Sequence, residues 1–144
     1  MEQQKTHSIQ EVSAKLLPLF NGSADVVFTF LFGSLASGHY SHLSDVDIAV
    51  YVKDPHNFSF NDKLTLQADC CRALKRNDVD LVVVNQMNNL ILLENIIREG
   101  EVIYVQDQMI LDEFVVTKLH QVIDFKCQRE RAMGDERTNQ PKDI

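Results

Sequence analysis

Residues 45–52, DVDIAVYV, carry the clearest pattern in the 144-residue chain. Val46, Ile48, Val50 and Val52 take the even positions; Asp45, Asp47, Ala49 and Tyr51 take the odd ones. Strand side chains alternate between faces, so four aliphatics pack on one side while both carboxylates stand on the other. A core strand has no use for two same-face aspartates near its start. This strand is therefore expected to border a site where charge is wanted.

The surrounding segments read as a small α/β (α+β) unit. SIQEVSAKLLPLF at 8–20 has helical spacing, with Ser8 and Glu11 as a capping box and Pro18 predicting a kink or an end near Leu17. VVFTFLF at 26–32 is continuously apolar, as suits a strand covered on both faces, and Gly33-Ser34 ends it. A helix is expected over 60–76, with Leu64, Leu66, Ala68, Cys71 and Leu74 inward, then a strand from Asp80 to Val84. NNLILLENIIRE at 88–99 reads as a helix capped by Asn88 or Asn89 and closed at Gly100. EVIYV at 101–105 is a fourth strand, and 108–132 a long last helix carrying Leu111, Val115, Leu119, Val122 and Ile123. The expectation is one domain over 1–133 with a polar tail over 134–144. Its sheet is mixed and mostly antiparallel, flanked by helices, with the site on an open sheet face.

Composition narrows the function classes. With 21 acids against 14 bases the net charge is −7, which argues against direct nucleic-acid binding, since phosphates call for a basic face. It leaves room for acids balanced by divalent metal. No apolar run approaches the ~20 residues of a membrane span, and the polar N-terminus does not read as a signal peptide. Three cysteines, two of them adjacent, do not build a disulfide framework. A cytoplasmic protein away from the membrane is expected, with Cys70, Cys71 and Cys127 as packing side chains rather than catalysts.

Chemistry concentrates in Gly33-Ser34 and Asp45-Val46-Asp47, ten residues apart. Glycine lets backbone approach a ligand closely, and Ser34 at a helix start would offer amides and a hydroxyl to a phosphate. Two carboxylates about 7 Å apart along one strand face suit Mg²⁺, a hard ion that takes one or two carboxylates plus substrate phosphates. Two such ions stabilise both oxygens of an in-line displacement at phosphorus. A third carboxylate belongs on a neighbouring strand. Asp80 is favoured because Val82 and Val84 continue its alternation, with Asp78 the alternative on the same face. Asp80 would accept the attacking hydroxyl's proton, ligate metal, or both.

These residues resemble the signature of the DNA polymerase beta nucleotidyltransferase superfamily: FGS at 32–34, then SDVDIAV at 44–50. Small size, the ten-residue spacer and REGEVIYV at 98–105 are similar to the minimal nucleotidyltransferase (MNT) subgroup, and more narrowly to the antitoxins of HEPN/MNT (type VII-like) toxin–antitoxin pairs. The resemblance implies a nucleotidyltransferase fold and AMP transfer from ATP, with Mg²⁺, onto a tyrosine of a HEPN toxin ribonuclease. It also implies Gly33 and Ser34 at the nucleotide phosphates, and Asp45, Asp47 and Asp80 at the metals and in catalysis. Many relatives carry an arginine after the Gly-Ser, where this chain reads Leu35-Ala36-Ser37-Gly38-His39. The missing cation could come from His39, His42, Arg98 or the partner.

Two other function classes compete with the protein-modifying enzyme. One is a small-molecule nucleotidyltransferase of the aminoglycoside-modifying kind; the other is an antitoxin that only binds. The paired acids disfavour pure binding. The core elements take up nearly the whole chain, so the acceptor is expected to be brought by a partner. Phe114, His120 and Phe125 on the last helix read equally as core or as partner surface.

Overall fold

A computed structural model describes residues 9–33 and 45–138, with side chains described as far as Met133. These residues form four helices and a four-stranded mixed sheet. In chain order they are α1 (Ile9–Asn21), β1 (Val26–Phe32), β2 (Val46–Val52), α2 (Phe60–Leu74), β3 (Val79–Val83), α3 (Leu90–Glu99), β4 (Glu101–Val105) and α4 (Gln108–Thr138). A short 3₁₀ turn, Val84–Gln86, follows β3. The sheet order is β3-β2-β1-β4. β1 runs antiparallel to β2 and β4, and β2 runs parallel to β3, with α2 as the crossover.

Alternation in β2 divides the core in two. Val46, Ile48, Val50 and Val52 are fully buried against α1 and α2, where Val12, Leu16, Phe20, Leu66, Cys70 and Leu74 meet them. Ala49 and Tyr51 face the other way, into a second cluster with Phe28, Phe30, Leu93, Ile96, Leu111 and Phe114 from β1, α3 and α4. Both faces of the sheet are therefore covered, which corrects the expectation of an open face. Tyr51 stacks on Phe28 with ring centroids 4.7 Å apart, and Phe114 packs edge-on against Tyr51.

Three helices depart from the sequence reading for physical reasons. α1 continues through Pro18 to Asn21. An interior proline costs about 3 kcal/mol, but Leu16 and Phe20 on either side are both fully buried, each contributing about 1.5–3 kcal/mol. α2 buries Leu66, Cys70 and Leu74, spaced by four, and leaves Leu64 45% exposed and Cys71 half-buried. It begins with a capping box in which Ser59 and Asp62 satisfy each other's amides, worth about 1 kcal/mol. α4 buries Leu111, Phe114 and Val122, whereas Ile123 and Phe125 stay exposed. Asn89 caps α3, accepting from the Leu92 amide. Gly100 closes α3 with its amide on the Ile96 carbonyl, at a point where a Cβ would press on Ile96 and on the Leu31 carbonyl. No helix among the described residues is long and apolar enough to cross a membrane.

Candidate active site

The parallel register of β2 and β3 brings the acids together. Val46 pairs with Val79, Asp47 with Asp80 and Ile48 with Leu81. Asp47 and Asp80 are thus neighbours across the sheet on the α3/α4 face, at the N-terminal ends of both strands. Phe32 of β1 completes the row on Asp47's other side. Along this face the helical cover fades: Ala49 is fully buried, Asp47 half-buried and Asp80 exposed. Asp45 is exposed just before β2.

Burial, then the charges of Asp80 and Asp45, push the Asp47 carboxyl up to about 6. Desolvation and like charges both penalise the ionised form, and a carboxylate so placed gains from a nearby cation. Gly33 adjoins the same group. Its φ is +79°, and a Cβ there would overlap Asp47 Oδ2 and stand 3.0 Å from its Cγ. Glycine is thus required twice at one position, by backbone conformation and by the volume that the carboxylate fills.

The remaining residues singled out by sequence divide clearly. Asp78 is engaged by Arg76, whose Nε meets Oδ1 and whose second nitrogen lies 2.6 Å from Oδ2. Of the two alternatives for a third carboxylate, Asp80 is therefore the one aligned with Asp47. Arg98 is engaged by Glu94: its Nε lies 2.9 Å from Glu94 Oε2, which also accepts from Lys126 at 2.8 Å and so links α3 to α4. The cations hold the Glu94 carboxyl below its ordinary range, Lys126 first by its hydrogen bond. Phe114 is core and His120 is exposed. Cys70 is buried with its thiol pushed up to about 12, mainly by desolvation, which suits packing and not nucleophilic attack. Ser34, His39 and His42 lie outside the described residues.

The donor set fits Mg²⁺ chemically: three carboxylates supply hard oxygens, and burial first, then the like charges of Asp80 and Asp45, disfavours an ionised Asp47 without a cation. Among the described residues no three or more Asp, Glu, His or Cys side chains stand close enough together to hold a metal ion by themselves. Mg²⁺ seldom uses a closed protein cage, since it keeps waters and binds partly through substrate phosphates.

Comparison with known proteins bears on the family and the fold. The family model for polymerase beta nucleotidyltransferases matches residues 14–109. Compared by sequence alone, no curated protein matches the chain. Among solved structures the fold is similar to a chain of a toxin–antitoxin complex with AMP-PNP, at TM-score 0.70 and 23% identity over 85% of this chain and 96% of that one. It is similar to a chain of the MntA–HepT complex, at TM-score 0.65 and 22% identity over 88% and 97%. A third is the complex of tri-AMPylated Shewanella oneidensis HEPN toxin with MNT antitoxin, at TM-score 0.66 and 22% identity over 88% and 96%. With the family model covering two thirds of its length and the acids set at paired positions of β2 and β3, the chain belongs to the polymerase beta nucleotidyltransferase family.

Proposed function

We propose that the chain is an antitoxin that transfers AMP from ATP to a tyrosine hydroxyl of a HEPN toxin, releasing pyrophosphate and silencing the toxin. The observation that carries the catalytic part is the side-by-side placement of Asp47 and Asp80, with Asp45 two residues before Asp47. The partner is inferred from fold likeness to chains of toxin–antitoxin complexes, one with AMP-PNP and one with an AMPylated toxin.

In this reading Asp45, Asp47 and Asp80 hold Mg²⁺, in one or two ions. Bound there, Mg²⁺ supplies charge neutralisation to the triphosphate and to the oxygens of an in-line displacement. The chain's own residues do the rest. Gly33 leaves room for the Asp47 carboxylate at the site, and Ser34 is assigned to the nucleotide phosphates. Asp80, more exposed than Asp47, faces an arriving acceptor and takes the hydroxyl proton as the new P–O bond forms. Burial and the neighbouring acids raise the Asp47 carboxyl, and a cation held beside it would favour the ionised form. Placement and charge account for most of such catalysis.

Incubation with ATP, Mg²⁺ and the product of the neighbouring gene, followed by intact-mass analysis, tests the function. Mass steps of one or more AMP units on the partner are expected. A tightly bound but unmodified partner would favour an antitoxin that only binds, and adenylylation of an aminoglycoside instead would favour the small-molecule enzyme.

A further inference from the structure

Asp80 lies on β3, an edge strand with one neighbour in the sheet. Its position opposite Asp47 depends on the register of a single parallel pairing. A slip of one residue would turn Asp80 to the other face, and a slip of two would carry it about 7 Å along the strand. The start of that pairing is held by a connected set of polar contacts reaching back into α2.

α2 ends at Lys75, in the left-handed region at φ 57°. The Arg76 amide then returns to the Cys71 carbonyl at 3.1 Å, which fixes where Arg76 leaves the helix. The Arg76 side chain is 11% exposed and grips both oxygens of Asp78. The Asp78 carbonyl accepts the Val46 amide at 3.0 Å, the bond that opens the β2–β3 ladder. One residue further, Gln67 of α2 donates its Nε2 to the Val79 carbonyl at 2.8 Å. A planar two-point contact resists rotation in a way that a single point charge does not.

We propose that Arg76 is a positioning residue for the acidic site, acting through Asp78 to fix the register that sets Asp80 beside Asp47. Arg76 touches neither nucleotide nor acceptor in this account. The inference rests on the proposed site of three carboxylates.

Mn²⁺, as a probe for Mg²⁺, titrated into the full chain and followed by electron paramagnetic resonance tests it without any partner. Arg76→Ala is expected to weaken Mn²⁺ binding about tenfold, the lower range for groups that orient metal ligands. Asp80→Asn is expected to weaken it as well. In the double variant, Arg76→Ala should add less than about twofold to the loss from Asp80→Asn, because the two act on one group. Arg76→Lys should restore thermal stability while leaving Mn²⁺ affinity well below wild type, since the charge returns without the fork. If Arg76→Ala does not fold, Asp78→Asn carries the same cycle, with a several-fold loss expected alone and little on top of Asp80→Asn.

Wild-type Mn²⁺ affinity in a folded Arg76→Ala chain, full additivity with Asp80→Asn, or full recovery of affinity by Arg76→Lys would each overturn the assignment. Unchanged affinity in Asp80→Asn alone would instead overturn the three-carboxylate reading beneath it.

Discussion

Gly33 yields its side-chain volume to the carboxylate of Asp47 on the neighbouring strand. A methyl group there would overlap Oδ2, and the φ of +79° already disfavours any L side chain. Gly33→Ala should lower stability by about 1–2 kcal/mol from backbone conformation alone. It should also displace Asp47 and weaken Mn²⁺ binding by at least about tenfold. Gly22 is the control, since a Cβ there meets only the Pro18 and Leu19 carbonyls at 3.5 and 3.8 Å. Urea denaturation and Mn²⁺ titration of both variants check the contrast, with metal binding unchanged in Gly22→Ala.

The raised Asp47 carboxyl makes stability depend on pH in a fixed direction. Folding lifts the group from 3.8 to about 6, so the folded chain binds more protons than the unfolded one between those values. This group's contribution to stability therefore falls as pH rises from about 4 to about 6 and stays low above that. Without divalent metal, Asp47→Asn should be more stable than wild type at pH 7 and should lose that advantage near pH 4. Adding Mg²⁺ at pH 7 should raise the melting temperature of wild type more than that of Asp47→Asn. Thermal melts at the two pH values, with and without Mg²⁺, measure both effects.

Thr29 sits in the middle of β1, fully buried, and its hydroxyl finds no hydrogen-bond partner among the described residues. A buried hydroxyl left unpaired costs about 1–3 kcal/mol. Thr29→Val should therefore leave stability unchanged or raise it by about 1 kcal/mol. A urea midpoint clearly below wild type would show that the hydroxyl has a partner in solution.

Thiol labelling separates the three cysteines by environment. Cys127 is exposed, Cys71 half-buried, and Cys70 is both buried and held up near 12. With iodoacetamide at pH 8, Cys127 should be modified first and Cys70 only after unfolding, because the thiolate is the reactive species. Peptide mass spectrometry over a time course reads the order directly.

Much of this site is legible in the sequence because a strand repeats every two residues. The alternation of 45–52 assigns Asp45 and Asp47 to one face without any tertiary knowledge, and the aliphatic partners pack as that pattern requires. Helix faces are harder to read. One position is a 100° rotation, so adjacent Cys70 and Cys71 leave the inward face of α2 undecided, and only packing shows that Leu66, Cys70 and Leu74 turn inward. Pro18 predicts a break that the burial of Leu16 and Phe20 overrides. The Ser59–Asp62 box carries only the short pattern S-x-x-D, and its reciprocal bonds show at the start of α2 in the fold. Alternation puts Asp78 and Asp80 on one face and favours Asp80 only through Val82 and Val84, which continue its strand. What separates them is the Arg76 contact and the parallel register. Nor does sequence say that α3 and α4 cover the sheet face opposite α1 and α2, because the side a helix packs on is a tertiary property.

A crystal structure of the chain with Mn²⁺ and a non-hydrolysable ATP analogue, with data collected at the manganese edge, decides whether the three acids hold metal. Anomalous density is expected between the carboxylates of Asp45, Asp47 and Asp80 and the analogue's phosphates, next to Gly33. Manganese and nucleotide bound away from these residues, or those side chains engaged by cations of the chain itself, would contradict it.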